Sequence, residues 1–336
     1  MPETAAPLPL AIVGCGTIAK AYVQALATVP AWQLCAFVDP AAGPREALRA
    51  VHGGAAFASL DEMAQHGVQP AAALVLAPPD THEALSVQLL QRGVHVLCEK
   101  PLAPTVAAAE RMFAAAARAQ RRLMMGSKFR YTHDVLAARR LLDVGFCGDV
   151  VLYENVFCSH VDMSQRWNAI ARRSGGGVLI DNGCHSVDLA RFLLGPIARV
   201  QAQFGKRAQP IAVEDTARLL FTSEHGALGS IDLSWSMHKE TEAYARIHGT
   251  RGTIEIGWRQ SRCKQVRSSE WQRFGAGYDK VAAFAAQLAN FADTIAGREA
   301  PVIDDGDALA SVVVIDCAYR SQVEERWLAV ARDADR

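Results

Sequence analysis

Apolar and polar positions along this chain follow two rhythms in succession. From residue 8 to about residue 125, short continuous apolar runs alternate with stretches whose apolar positions recur at helical spacing. The runs are Leu8–Val13, Trp32–Val38, Ala55–Ala58, Ala71–Leu76, Val94–Cys98 and Leu123–Gly126. Continuous apolar runs suit strands buried on both faces, and their alternation with helices predicts parallel βαβ units. Helices are predicted from Gly16 to about Thr28, over Arg45–Val51 and over Leu60–His66. A fourth opens after the turn Ala77-Pro78-Pro79-Asp80-Thr81 and stops at Gly93, a left-handed cap. The alanine-rich stretch Val106–Gln120 reads as a fifth helix rather than as disorder.

Beyond a helix over Asp134–Asp143 the rhythm changes. Strand patterns follow one another at Val150–Phe157, Ala198–Phe204, Thr216–Thr222, Ala227–Trp235, Tyr244–His248 and Thr253–Ile256, with Gly249-Thr250-Arg251-Gly252 as a hairpin turn. Helices are predicted over His185–Leu194, Lys280–Ala296 and from Ala308 into the 320s. The fold class is therefore α/β: an N-terminal Rossmann parallel sheet with helices on both faces, then a large, mostly antiparallel open sheet with helices on one face. The domains are expected at 1–125 and 126–336, and a last helix that packs back on the first domain stays open.

The first strand and its turn concentrate the chemistry. Gly14, Gly16 and Ala19 fit the G-x-G-x-x-G/A fingerprint of a dinucleotide-binding turn. Gly14 permits the tight turn, Gly16 lets backbone approach a pyrophosphate, and Ala19 lets the new helix lie on the sheet. The helix start offers N–H groups to phosphate. Asp39, 23 residues after Gly16, closes the second strand near the spacing at which a carboxylate reaches the adenosine ribose. It favours NAD over NADP by accepting from ribose hydroxyls and repelling a 2′-phosphate. The alternative is that Asp39 only caps the turn before Pro40.

Composition narrows the classes. Lys+Arg and Asp+Glu both number 35, so no nucleic-acid or anionic-membrane partner is expected. The eight cysteines are scattered, contain no C-x-x-C, and read as reduced side chains of a cytoplasmic protein. No Cys/His spacing fits zinc, so no metal is expected. Met1 to Pro9 lack the pattern of a signal peptide, and no run reaches the length of a membrane span.

The chain resembles the glucose–fructose oxidoreductase / inositol dehydrogenase / MocA family. The resemblance is carried by Val13-Gly14-Cys15-Gly16-Thr17-Ile18-Ala19, Pro78-Pro79-Asp80-Thr81-His82, Glu99-Lys100-Pro101 and Phe129-Arg130-Tyr131. It continues through Gly145-x-x-Gly148, the segment Gly175-Gly176-Gly177-Val178-Leu179-Ile180-Asp181-x-Gly183-x-His185-x-x-Asp188-Leu189, Gly249-Thr250-x-Gly252 and Ala318-Tyr319-Arg320-Ser321. It implies an NAD-dependent oxidoreductase moving hydride between nicotinamide and a sugar, cyclitol or sugar-derivative carbinol or ketone. It also implies a substrate cleft between the domains and a homo-oligomer formed through the C-terminal sheet.

Carried over residue by residue, the resemblance assigns Gly14, Gly16, Thr17, Ile18, Ala19, Asp39, Pro78, Pro79, His82, Glu99 and Lys100 to the cofactor. Lys100, Asp181 and His185 become the catalytic set. Lys100 would hold a nicotinamide-ribose hydroxyl and the reacting oxygen, and His185 suits a general acid/base. Asp181 would orient that imidazole or bind substrate. Arg130, Tyr131, Trp167 and Asn182 are the substrate candidates. Each has a structural alternative: a surface lysine, an N-cap at Asp181 or Asn182, a helix histidine paired with Asp188, a core tryptophan, an ion-paired arginine. His82 contacts cofactor or only packs the first turn of its helix. Arg172 and Arg173 meet a phosphorylated or nucleotide-linked sugar, or lie in a solvated loop. Two further functions remain open: an inactive NAD-binding sensor or regulator, and an NAD-recycling epimerase or glycoside-cleaving enzyme.

Overall fold

A computed structural model describes residues 6–239 and 241–331. Residues 1–5, within the stretch read as lacking a signal peptide, lie outside the described residues. In chain order the N-terminal elements are β1 (Leu8–Val13), α1 (Thr17–Leu26), β2 (Trp32–Val38), α2 (Ala42–His52), β3 (Ala55–Phe57), α3 (Leu60–Gln65), β4 (Ala72–Val75), α4 (His82–Gln91), β5 (His95–Glu99), α5 (Val106–Ala119) and β6 (Leu123–Gly126). There follow α6 (His133–Asp143), β7 (Val150–Cys158), α7 (Ala171–Ser174), α8 (Val178–Asp181), α9 (Gly183–Leu194), β8 (Ile197–Phe204), β9 (Thr216–Ser223), β10 (Leu228–Ser234), β11 (Ala243–Gly249), β12 (Gly252–Gly257), β13 (Ser261–Gln265) and β14 (Gln272–Gly275). The chain closes with α10 (Lys280–Ile295), α11 (Asp305–Val323) and β15 (Leu328–Ala329).

Two compact units result: Met1–Ala103 with Ala107–Lys128 and Lys280–Ala308, and Pro104–Val106 with Phe129–Asp279 and Leu309–Arg336. In the first, a six-stranded sheet runs β3-β2-β1-β4-β5-β6 with every pairing parallel. That order is the doubly wound arrangement of a Rossmann sheet. Residues Leu10 to Ile12 and Ala72 to Val75 are fully buried, as strands covered on both faces require.

Helix α10, from late in the chain, belongs to this unit. The Trp32 indole N–H donates to the Leu288 carbonyl at 2.9 Å. Trp32 also stacks on Phe291 at 5.5 Å, and Tyr22 of α1 meets Phe284 at 4.2 Å.

The second unit holds a nine-stranded sheet, β14-β13-β12-β11-β7-β10-β9-β8-β15, antiparallel except for β7 with β10. Period-two alternation sorts its faces. Tyr153, Asn155, Leu219, Phe221, Ile231, Leu233, Ile247 and Ile254 are buried. Leu152, Leu220 and Leu228 on the other face are exposed. On that outer face Glu255 accepts from Arg246 Nε at 3.2 Å and from Arg262 Nε at 2.7 Å, a cross-strand charge ladder.

Strands β13, β14 and β15 and helix α8 go beyond the sequence reading. Ser261–Gln265 and Gln272–Gly275 are strands at one end of the sheet order whose buried positions, Ser261, Cys263 and Gly275, are small rather than strongly apolar. Helix α8 is a single turn, too short for a periodic signal. Among the described residues no helix is long and apolar enough to cross a membrane.

Arg130, expected at the substrate, is instead committed to the interior. Its side chain is 1% exposed, as is that of Asp188. Nε donates to both carboxylate oxygens of Asp188 at 3.0 Å, and Nη2 donates to Oδ1 at 2.7 Å. The guanidinium also lies 5.0 Å from the Phe192 ring. A planar fork matched to a carboxylate suits a desolvated ion pair.

Removing one partner of such a pair strands the other charge in a low dielectric. Asp188→Ala is therefore expected to lower unfolding stability by about 3–5 kcal/mol in urea titrations. The paired change Arg130→Met/Asp188→Leu should cost markedly less than either single loss. Equal losses for single and double variants would contradict this reading.

Candidate functional site

In the first unit the turns after β1, β2, β4 and β5 all lie at the carboxyl edge of the parallel sheet, where open α/β sheets bind ligands. Gly14 has φ +95°, and a Cβ there would sit 2.6 Å from the Ala77 nitrogen, so the turns after β1 and β4 touch. A Cβ on Gly16 would meet nothing within 4 Å. Gly16 and Thr17 are exposed, and no side chain caps α1 at Gly16. Ala19 is fully buried beneath the helix. The cradle thus has the open backbone that a pyrophosphate needs at a helix start.

Asp39 does cap its turn, and more. One carboxylate oxygen accepts the Cys15 N–H and the other the Ala41 N–H, both at 2.8 Å. The acid is thereby fixed against the glycine turn, with its remaining lone pairs available to ribose hydroxyls. Arg45 Nη1 donates to the carbonyls of Asp39 at 2.9 Å and Pro40 at 3.1 Å, bracing the same corner.

His82 takes the packing alternative. It is fully buried, with Nε2 2.8 Å from the Ala77 carbonyl and Nδ1 3.0 Å and 3.3 Å from those of Pro101 and Leu102. The imidazole ties the turn after β4 to the segment after β5, and burial pushes its pKa down. Pro79 is buried beside it, and Pro78 is half-buried.

Glu99, expected at the cofactor, is likewise an interior group. Tyr22 Oη donates to Oε1 at 2.7 Å, and Gln287 Nε2 of α10 donates to that phenol oxygen at 3.0 Å. The other oxygen, Oε2, accepts the Lys100 N–H at 3.0 Å. Glu99 therefore holds the backbone from which half-buried Lys100 projects.

In the second unit Asp181 ends α8 and His185 lies in the first turn of α9. Asn182, between them, occupies the cap position of α9 without a side-chain capping bond. Asp181 and Asn182 are half-buried, and His185 is 6% exposed. The His185 imidazole meets Phe129 edge-on at 5.1 Å. Phe129 stacks on Tyr278 at 5.0 Å and lies 5.0 Å from Phe157. Tyr131 is buried. Trp167 begins a short 3-10 turn in a polar loop and is half-buried. Arg172 is exposed and Arg173 half-buried on α7.

Sequence reasoning missed the group that holds this segment. The carboxylate of Glu214 accepts from Gly177 N at 3.0 Å, Leu179 N at 3.1 Å and Tyr319 Oη at 2.7 Å. Burial pushes the Glu214 carboxyl pKa up, against these hydrogen bonds. The three successive glycines were the available signal, because something bulky had to cross them. Among the described residues no cluster of His, Cys, Asp or Glu could hold a metal ion.

Comparison with known proteins now adds to the geometry. Residues 8–127 match the model of an oxidoreductase family with an NAD-binding Rossmann fold. Residues 135–255 match the GFO/IDH/MocA C-terminal domain. A D-apiose dehydrogenase of Paraburkholderia graminis is 29% identical over 256 residues, 73% of this chain but only 66% of that relative's own length. An inositol 2-dehydrogenase of Rhizobium meliloti is 23% identical over 348 residues, 95% of this chain and 98% of its own. The crystal structure of the WlbA dehydrogenase from Bordetella pertussis, in complex with NADH and UDP-GlcNAcA, superimposes with a TM-score of 0.86 at 24% identity. That match covers 99% of this chain and 100% of the other. With an NAD-binding Rossmann unit at one end and the matching C-terminal domain at the other, the chain belongs to the GFO/IDH/MocA oxidoreductase family.

Proposed function

We propose that this protein is an NAD-dependent dehydrogenase or reductase acting on a sugar, a cyclitol or a sugar-derivative carbinol or ketone. The observation that carries the reading is Lys100 standing at the carboxyl edge of the same parallel sheet that bears the Gly14–Gly16 turn and Asp39. An ammonium at that edge serves a reacting oxygen beside a dinucleotide. The cofactor supplies hydride acceptance and donation when bound. Thr17 and Ile18 carry N–H groups at the start of α1 that can receive its phosphates, and Asp39 its adenosine ribose. Lys100 holds the substrate oxygen and stabilises negative charge developing there. His185 takes the hydroxyl proton on oxidation and returns it on reduction. Asp181 orients that imidazole or binds substrate. Trp167 and Tyr131 are assigned to the sugar, with an aromatic face suited to C–H groups. The presence of Lys100, Asp181 and His185 together favours turnover over a silent NAD-binding sensor.

The relatives named as D-apiose and inositol dehydrogenases act, by those names, on polyhydroxylated carbinols, and the reading extends that class here. The test is nicotinamide absorbance on mixing protein and NAD with a panel of aldoses, cyclitols and anhydrosugars. Sustained reduction supports the proposal. Product formed without net NADH points to the NAD-recycling alternative, and silence across the panel to the sensor. All eight cysteines are free thiols, which fits work in the cytoplasm. The exposed leucine cluster of the open sheet is assigned to a symmetric contact with a second copy.

Outcomes are expected for cofactor choice, for the catalytic set and for assembly. NADH should bind more tightly than NADPH in fluorescence titrations, and Asp39→Ser should narrow the gap. Preferential NADPH binding by the unmodified protein would overturn this and implicate Arg45. His185→Ala should lose about 10²–10⁴-fold in turnover with NADH affinity nearly intact. Oxidation by the unmodified enzyme should rise with pH through a single titrating group, and His185→Ala should abolish that rise. Lys100→Met should also lose turnover, and the double variant should be less impaired than the product of the single losses. Finally, Leu152→Glu with Leu228→Glu should convert an oligomer to a smaller species in light scattering. An unchanged mass would remove the sheet face from the assembly.

A further inference from the structure

The run Gly175-Gly176-Gly177 suggests a surface left bare for a ligand, yet side chains of this chain cross it. A Cβ on Gly176 would collide with Tyr319 Oη, and one on Gly177 with the Glu214 carbonyl oxygen. Glu214 lies just before β9 and is turned back over the start of α8. Its backbone carbonyl accepts the Val178 N–H at 2.9 Å. Its carboxylate Oε1 takes the amides on either side, Gly177 at 3.0 Å and Leu179 at 3.1 Å, together with the Tyr319 hydroxyl at 2.7 Å. Three consecutive N–H groups at a helix start, which no helical carbonyl can serve, therefore all end on one residue.

The same segment carries the proposed chemistry. Asp181 N donates to the Gly177 carbonyl at 3.1 Å and Asn182 N to that of Val178 at 2.9 Å. Ser186 N donates to the Asn182 carbonyl at 3.2 Å, which joins the single turn of α8 to the first turn of α9. Val178, Leu179 and Ile180 are buried, so the turn has no freedom to pivot into solvent. These bonds connect residues 177–179 to the backbone of Asp181 and, through Asn182, to the turn that carries His185.

We infer that Glu214, held by Tyr319, is a positioning residue that fixes Asp181 and His185; this rests on the assignment of those two residues to the reaction. A carboxylate buried merely to fill space would be a poor choice, since its charge is costly away from water. Here one oxygen satisfies three donors that an apolar side chain would leave stranded. Tyr319, 105 residues away in α11, holds the carboxylate from the far side.

The test compares Glu214→Gln, Glu214→Ala and Tyr319→Phe in the full chain. The first readout is the pH titration of the His185 imidazole by NMR without substrate, its signal assigned through His185→Ala. The second is kcat and KM for whichever panel polyol gives the highest rate, with NADH affinity alongside. Glu214→Ala should move the His185 titration by about half a unit or more. It should also cut kcat about 10- to 100-fold, the scale of a small misplacement of reacting groups, with NADH affinity unchanged. Glu214→Gln keeps an oxygen acceptor and should restore both to within about threefold of the unmodified protein.

A folded Glu214→Ala protein with the original titration and kcat overturns the inference. So does a Glu214→Gln protein as perturbed as Glu214→Ala, because the lost charge, not the lost acceptor, would then be at work. If Glu214→Ala does not fold, Tyr319→Phe decides: a smaller shift in the same direction supports the inference, and lowered melting with unchanged titration and kcat overturns it. Full turnover by His185→Ala would sink the catalytic assignment alone, since the substrate-free titration judges the positioning separately.

Discussion

Parallel pairing of β1 with both β2 and β4 is the constraint on which the first unit depends. Parallel strands cannot be joined by hairpins, so each needs a helical crossover, and every strand delivers its following turn to one edge. Gly14, Asp39, Ala77 and Lys100 are thereby brought together although the sequence spreads them over 87 positions. Crowding at that edge then dictates composition. The approach of the turns after β1 and β4 leaves no room for a Cβ at Gly14, and His82 and Glu99 are buried between the turns as polar fasteners.

The second unit meets a different requirement. A sheet with helices on one face only must bury one row of side chains and expose the other. It does so with tyrosines, phenylalanines and branched residues inward and paired charges or exposed leucines outward. Several polar groups trapped in the interior are met individually. Asp188 faces Arg130, Asn155 donates to the Tyr244 carbonyl at 2.9 Å, and Glu214 faces the α8 amides. These contacts distinguish a unique packing from the many that apolar volume alone would accept.

What the sequence reveals is what is local. Strands β1 to β6 announce themselves through uninterrupted apolar runs, and the hairpin of β11 and β12 through its paired glycines. The dinucleotide turn is legible because strand, glycines and acid lie close together in the chain. The contacts that reassign residues are long-range. Arg130 and Asp188 are 58 residues apart, Gly177 and Glu214 are 37 apart, and Tyr22 and Gln287 are 265 apart. No periodicity encodes such a meeting, so Arg130 and Glu99 read as ligand groups when their partners lie elsewhere in the core. Strands β13 and β14 escape for a local reason, because their buried positions are filled by small residues instead of an apolar run.

The return of α10 has a consequence for how the protein is made. The nucleotide-binding unit begins at the start of the chain but ends at residue 308. Until α10 arrives, Trp32 lacks the ring of Phe291 and the carbonyl of Leu288, and the Tyr22 hydroxyl lacks the amide of Gln287. During synthesis the strands β1 to β6 thus emerge ahead of β7 to β14 but are covered only after them, and their flank stays open while those strands are being translated. A ribosome that stalls anywhere before α10 releases a chain with an open aromatic flank, the kind of surface that chaperones and proteases read as incomplete.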